Sequence, residues 1–337
     1  AVLKATNIVD RVSGATLNSR AKGSALSRFE SSKQRFWLAL LVAMKMPSLL
    51  PEIEQEIARG HVAVIQLVTT AEAILERRLA ELSPEERANL SLEVSPLEIL
   101  VEYLRHAFPV QQMRVFRSTD GADRSEPMLD ADGQPVLSQE AIAARDELIE
   151  QLCALPPVPA ALDTLIAHFG TDRVAEVTGR SRRLVVKPDG CQAIERRSAR
   201  ANLVETSLFM DGVKPILVFS SAGGTGRSYH ADRASKAGDR RRIHFLLEPG
   251  WRADVAIQGL GRSHRTNQTV PPIFRPVVTD CKGERRAIST IARRLDSLGA
   301  LTRGQRQTGG QGLFDPSDNL ESDLAREALA QWYRLLH

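Results

Sequence analysis

Lys214-Pro215-Ile216-Leu217-Val218-Phe219-Ser220, running straight into Ser221-Ala222-Gly223-Gly224-Thr225-Gly226-Arg227-Ser228, is the stretch on which the reading of the fold turns. Its first half is apolar without alternation, which is how a strand covered on both faces reads. Its second half is a glycine-rich loop leaving that strand, and such a loop exposes backbone N–H groups able to cradle an anion. Working outward, the same kind of run recurs at His61 to Val68 (HVAVIQLV), Arg173 to Thr178, Leu184 to Lys187, Arg242 to Leu247 (RIHFLL) and Ile273 to Thr279. Helical patterns separate them, over Ala71 to Leu82, Arg197 to Met210 and Glu284 to Ser297. Alternation of this kind predicts an α/β fold with a parallel, doubly wound sheet and helices on both faces. Ligands of such sheets bind at the carboxyl ends of the strands, where Thr69-Thr70 and the 221–228 loop both fall. Thr69-Thr70 also stands where an N-cap of the following helix is expected.

The other conspicuous stretch is Gln258-Gly259-Leu260-Gly261-Arg262-Ser263-His264-Arg265-Thr266-Asn267-Gln268. Two arginines three apart, behind Gly-x-Gly and after the amphipathic run Trp251 to Ile257, are expected to leave one face of a helix start together. Arg suits phosphate because its planar fork donates bidentately and stays charged. A solvated basic helix end is the alternative for a bare R-x-x-R; Gln258, Gly261 and the trailing Asn267-Gln268 favour a ligand-facing role.

Composition bounds the rest. A chain of 337 residues with 42% hydrophobic content can bury a full core as one large or two modest domains. Its longest apolar runs fall well short of the ~20 residues a membrane helix needs, and no signal-peptide pattern opens it, so the expectation is a cytoplasmic protein with no membrane partner. Cys153, Cys191 and Cys281 are three and widely spaced, which predicts free thiols and neither a disulfide framework nor a metal site. The net charge of +4 conceals an asymmetry: residues 170–310 hold 26 Lys and Arg against 13 Asp and Glu, the remainder 19 against 28. The second half is therefore the part suited to a polyanion.

Residues 1–32, rich in Ser, Gly, Ala and Arg, read as a linker from an upstream lobe. From Ser83 to Gly170 the pattern becomes helices separated by polar turns, with a loop or small hairpin at Thr119-Asp120-Gly121 and Asp130 to Gly133, which predicts a mainly α-helical insertion. The lobe itself is then 33–82 with 171–310, followed by a tail and helix over 311–337. Asp146-Glu147 imitates an acidic ATPase box, but it lies inside a helical pattern and not at the end of a buried strand.

Several runs carry a family resemblance: Gln34-Arg35-Phe36, Met44-Lys45-Met46-Pro47, Val64-Ile65-Gln66-Leu67, Ala222-Gly223-Gly224-Thr225-Gly226, Pro249-Gly250-Trp251, Gly261 to Gln268 and Leu298-Gly299-Ala300-Leu301-Thr302. From Lys33 through Gly312 the chain resembles the C-terminal helicase domain of the strawberry notch family, in a bacterial form. Gln258 to Gln268 looks like motif VI of superfamily 2 helicases and translocases, and 222–226 like their motif V. Arg227 departs from that pattern, in which an apolar residue is usual.

The resemblance implies a second RecA-like lobe of an ATP-dependent DNA helicase or translocase. It casts Arg262 and Arg265 as arginine fingers on the transferring phosphoryl group, Gln258 and Gly261 as positioning residues, and Gly224 and Gly226 as part of a relay beside ATP. Thr69, Thr70, Ser221, Arg227 and Ser228 become contacts to DNA, or alternatively RNA. His264 is expected to hydrogen-bond within its loop, with His230 and His244 as structural histidines and Trp251 as an anchor between strand and helix. No G-x-x-x-x-G-K-[ST] occurs, so ATP and Mg²⁺ are expected on a first lobe absent from this chain, which alone should not hydrolyse ATP. Two other readings remain. One is a Rossmann-like methyltransferase or nucleotide-binding enzyme using the 220–248 region, against which the third glycine position is Tyr229. The other is a nucleic-acid-binding module without catalysis.

Overall fold

The computed structural model describes residues 1–83, 85–86, 90, 92, 94–187, 189–198, 200–250, 253–297 and 323–336. In chain order its helices are α1 (Val2–Ala5), α2 (Ser19–Met44), α3 (Met46–Ala58), α4 (Glu72–Glu81), α5 (Leu97–His106), α6 (Gln139–Cys153), α7 (Ala161–Phe169), α8 (Ala201–Met210), α9 (Ser221–Gly224), α10 (Ala253–Leu260), α11 (Lys282–Ser297) and α12 (Asp323–Leu336). The strands are β1 (Val62–Leu67), β2 (Met113–Arg117), β3 (Asp123–Pro127), β4 (Val174–Val177), β5 (Arg182–Val186), β6 (Gln192–Arg196), β7 (Ile216–Ser220), β8 (Arg242–Leu246) and β9 (Ile273–Pro276). They fall into two compact units, 1–40 with 93–160 and 41–92 with 161–337.

In the first unit, β2 and β3 form an antiparallel hairpin whose turn contains Gly121 at φ +79°. This is the hairpin expected at Thr119-Asp120-Gly121. Residues 1–32, expected as a linker, are folded against it instead. Ile8, Val9 and Met113 share a small core with Leu3 and Ala21, and the Met113 and Ser125 N–H groups donate to the Thr6 and Leu17 carbonyls. Polar Ser/Gly/Ala composition hid this because part of the docking is by backbone bonds, which every residue type can make, beside the Asn7 and Asn18 amides that donate to the Met113 and Ser125 carbonyls. Asp146 and Glu147 sit exposed on α6, away from any strand end.

The second unit is built on a five-stranded parallel sheet in the order β4-β7-β1-β8-β9. Every residue of β1, β4, β7 and β8 is buried, as the unalternated apolar runs require. Side chains alternate between two cores. Ala63, Ile65, Leu67, Ile216, Val218, Ile243 and Phe245 pack on α3 and α7, whereas Val62, Val64, Leu217 and Phe219 pack with Phe209 of α8 and with Tyr229. Leu246 meets Ala256 of α10 and Ile288 and Ile291 of α11. The 184–187 run is not part of this sheet. It lies in β5, which pairs antiparallel with β6 around Gly190 at φ +82° and leaves Val186 exposed.

Among the described residues no single helix is long and apolar enough to cross a membrane. Cys153, Cys191 and Cys281 are free and exposed. Leu298 to Thr302, the rest of the tail up to 322, and Trp251 lie outside the described residues.

Candidate functional site

The carboxyl edge of the parallel sheet gathers three chain segments: 68–71 after β1, 221–228 after β7, and 248–268 after β8. Glu248 binds two of them together. It is buried, and its carboxylate accepts the Val68 N–H (2.8 Å), the Thr69 N–H (2.7 Å) and the Thr69 hydroxyl (2.7 Å). Thr69 therefore directs its donors inward, although the residue as a whole is exposed; Thr70 is half-buried. Neither threonine caps α4, whose N-cap is Ala71 in the left-handed region at φ +57°. A non-glycine residue there carries strain of about 1–3 kcal/mol, and such strain is concentrated in functional loops. Beneath the edge, Lys45 is almost fully buried, donates to the Leu247 carbonyl at 2.6 Å and pairs with Glu284, which also accepts from Thr279. Burial pushes its ammonium below the ordinary lysine range, opposed by the charge of Glu284.

The glycine-rich stretch is a helical turn, α9, and not an open loop. Gly223 lies so close to Thr178 that a Cβ would sit 2.5 Å from its backbone, and a Cβ on Gly224 would meet Phe219 at 3.0 Å and the Tyr229 hydroxyl at 3.2 Å. Two of the three glycines thus serve close packing; Gly226, at φ +72°, faces open space. A dinucleotide fingerprint also needs a third glycine where helix and strand pack closely, and that position is the buried Tyr229, which speaks against the Rossmann-like reading. Ser221 is exposed, and Arg227 and Ser228 are half-buried on the same rim.

The arginine stretch departs from the expected geometry. The amphipathic run forms α10, which ends at Leu260, so Arg262 and Arg265 follow a helix C-terminus and do not leave a helix start together. A cation there still meets the negative end of the helix dipole. Gly261, Arg262 and Ser263 close successive tight turns onto the carbonyls of Ile257, Gly259 and Leu260. Arg262 turns inward: its guanidinium donates to the Gly224 carbonyl and, at 3.0 Å, to that of Arg227, and stacks over Phe219 at 5.9 Å. Its own carbonyl accepts the Tyr229 N–H at 2.7 Å. Arg262 therefore staples the 224–229 segment to the turn.

Arg265 is exposed and makes no ion pair among the described residues. The strand-like zipper on either side holds its loop. Thr269 N–H donates to Ala231 at 2.8 Å, Asn267 to the Asp232 carboxylate at 3.1 Å, and Gln268 accepts the Arg265 N–H at 3.3 Å. His264 is exposed and Gln258 also faces outward, while Gly259 is buried.

Two sets of polar residues carry no motif signal. His244 of β8 is wholly buried, with Nδ1 2.8 Å from Ser263 Oγ and Nε2 3.2 Å from Gln66 Oε1; burial depresses its pKa to about 3. The other is a buried cluster beyond β4, where Arg180 donates to Glu176 (3.0 and 3.2 Å) and Asp163 (2.6 Å), and Arg197 bonds the Glu176 and Arg180 carbonyls. Burial lifts the Asp163 carboxyl; for Glu176 burial is outweighed by Arg180 and Arg197, which hold it below its usual range. His230 is buried with both ring nitrogens unbonded, 3.5 Å from Asp232, and burial lowers its pKa. The signal for the Arg180 cluster was the charge density of Val177-Thr178-Gly179-Arg180-Ser181-Arg182-Arg183 beside a buried strand, which a count of basic residues treats as surface.

Comparison with known proteins converges on one group. Residues 160–337 match the family described as the C-terminal domain on Strawberry notch homologue. The chain is 31% identical over 366 residues to human protein strawberry notch homolog 2, an alignment covering 85% of this chain and 26% of that protein. It is 31% identical over 359 residues to rat strawberry notch homolog 1, covering 86% and 28%, and 38% identical over 204 residues to FORGETTER 1 of Arabidopsis thaliana, covering 58% and 16%. The chain thus spans 26–28% of the length of the first two of these relatives.

Proposed function

This chain belongs to the strawberry notch family through its helicase-like C-terminal domain, and on that premise we propose that it is the second lobe of an ATP-dependent DNA helicase or translocase. The observation that carries the proposal is the division of labour between the two motif arginines. Arg262 is spent on the Gly224 and Arg227 carbonyls, while Arg265 stands uncommitted on a loop braced at both ends. A braced, exposed guanidinium fits a phosphoryl group presented from another lobe, since a preorganised charge costs no rearrangement when transition-state charge develops. ATP and Mg²⁺ would be held by that other lobe. Arg265 is accordingly the finger, and Arg262 the link between the 224–229 segment and the finger loop. The rim of exposed Ser221 and half-buried Arg227 and Ser228, with Thr70 beside the strained Ala71, supplies the proposed nucleic-acid contacts, on the basic half of the chain and beside it, while Thr69, held by Glu248, braces that loop.

In the full two-lobed polypeptide, Arg265→Ala should lower kcat for nucleic-acid-stimulated ATP hydrolysis by about 10³-fold while leaving the Kd for nucleic acid within about twofold. Arg265→Lys should rescue little, because an ammonium lacks the bidentate fork. Weakened nucleic-acid binding with an intact ATPase rate would make the loop a backbone clamp and end the finger assignment.

A further inference from the structure

We infer that His244, at the centre of the sheet, is the positioning residue that sets the turn from which Arg262 and Arg265 are presented, acting through Ser263. The inference rests on the finger-loop reading above and adds a residue that no motif contains.

Four groups form a chain in which each has one available role. The Ala256 carbonyl of α10 can only accept, and the Gln66 amide nitrogen lies 3.5 Å from it. That turns the Gln66 oxygen toward His244 Nε2, at 3.2 Å, so Nε2 carries the ring proton. The neutral ring then has a bare Nδ1, and Ser263 donates its hydroxyl to it at 2.8 Å. Both ends of this chain lie in one segment, Ala256 inside α10 and Ser263 three residues past its end. The two strands between them, β1 and β8, thereby hold the end of α10 at a fixed rotation.

The local sequence is shaped around this contact. A Cβ at Gly259 would fall 2.2 Å from the Gln66 side chain, so glycine there lets Gln66 lie under the turn. Ser263 is fully buried, flanked by half-buried Arg262 and exposed His264. A buried imidazole is not the cheapest filling for a sheet centre, since an apolar side chain of similar volume would pack without needing partners. What the polar chain adds is direction: a satisfied buried network admits one arrangement. Here that arrangement points the Arg262 guanidinium at Gly224 and Arg227 and leaves Arg265 two residues past Ser263.

His244→Asn and His244→Gln separate positioning from mere packing. Asn places an oxygen near the Nδ1 position and keeps an acceptor for Ser263; Gln reaches toward the Nε2 position and keeps only the Gln66 contact. Proton–nitrogen correlation spectra of this chain give the first readout. The wild type should show His244 as the Nε2–H tautomer and slowly exchanging protons on Arg262 Nη1, the nitrogen that donates to the Gly224 and Arg227 carbonyls. His244→Gln and Ser263→Ala should speed that exchange by about tenfold or more, and His244→Asn should not, although both His244 variants lose stability in urea. In the two-lobed polypeptide, kcat should be about tenfold lower for His244→Gln than for His244→Asn, with KM for ATP alike. Arg262 exchange tracking stability equally in both variants, unchanged exchange in all three, or an Nδ1–H tautomer would overturn the proposal. If the two-lobed wild type has no ATPase activity, the functional reading fails, while the exchange measurement still decides whether His244 positions Arg262.

Discussion

Gly223→Ala should be the most damaging methyl that can be added to the glycine-rich turn. The new Cβ would sit 2.5 Å from the N, Cα and C atoms of Thr178. Ordinary contact begins about 1 Å farther out, and the obstacle is backbone of the segment leaving β4, not a side chain that can swing away. Overpacking costs typically about 1–3 kcal/mol, and a backbone obstacle belongs at the upper end. Two controls bracket the value. Gly226→Ala meets nothing within 4 Å but must hold φ +72°, which costs about 1–2 kcal/mol. Gly261→Ala has its nearest neighbour at 3.5 Å and no positive φ, and should be neutral to within about 0.5 kcal/mol. Native-state hydrogen exchange at the Val177 and Val218 amides reads the free energy locally in the sheet, and so avoids treating two compact units as one transition. The order 223 worst, 226 intermediate and 261 neutral is expected. If Gly223→Ala cost no more than Gly261→Ala, the packing account of α9 would be wrong, and its glycines would have to be explained by a ligand.

Other outcomes follow from the same edge. Lys45→Met should destabilise the second unit by about 3–5 kcal/mol, because it leaves the buried Glu284 carboxylate without its ammonium; a smaller loss than for Gly226→Ala in the same exchange assay would show the pair to be dispensable. His244 makes acid unfavourable: the unfolded ring takes up a proton near pH 6.5 and the folded one only near 3, so between those values stability falls as pH falls, by about 1.4 kcal/mol per unit. His244→Asn should lack that part of the slope in urea titrations at pH 7.5 and 5.5, and parallel pH dependences would contradict a buried neutral ring. On the proposed function, binding of this chain to a single-stranded oligonucleotide should weaken at least about tenfold between roughly 50 and 200 mM salt, and salt-independent binding would exclude a phosphate-backbone interface.

The sequence by itself determined the parallel sheet, because a strand buried on both faces reads as an apolar run without alternation, and β1, β7 and β8 carry that pattern, broken only by Gln66, Ser220, Arg242 and His244. It also determined the identity of the edge loops, since glycines and paired arginines after such strands are rare enough to be read directly. It did not determine where those side chains point. Arg262 and Arg265 share a spacing but part company because α10 ends before them and the carbonyls of residues 224 and 227 capture the first guanidinium. Gly223 and Gly224 looked like an open cradle and are packing contacts, a distinction fixed by how near Thr178 and Phe219 come from elsewhere in the chain. Residues 1–32 lacked any period yet fold, because a few scattered side chains, Ile8 and Val9 against Met113 and Asn7 and Asn18 on hairpin carbonyls, act with backbone bonds that leave no trace in side-chain pattern. His244 was legible as a structural histidine, and Gln66, Lys45 and Glu248 as polar letters in or beside apolar runs, but none with its partner. Their partners lie 19 to 239 residues away along the chain, and only tertiary structure brings a buried donor to the acceptor that makes it affordable.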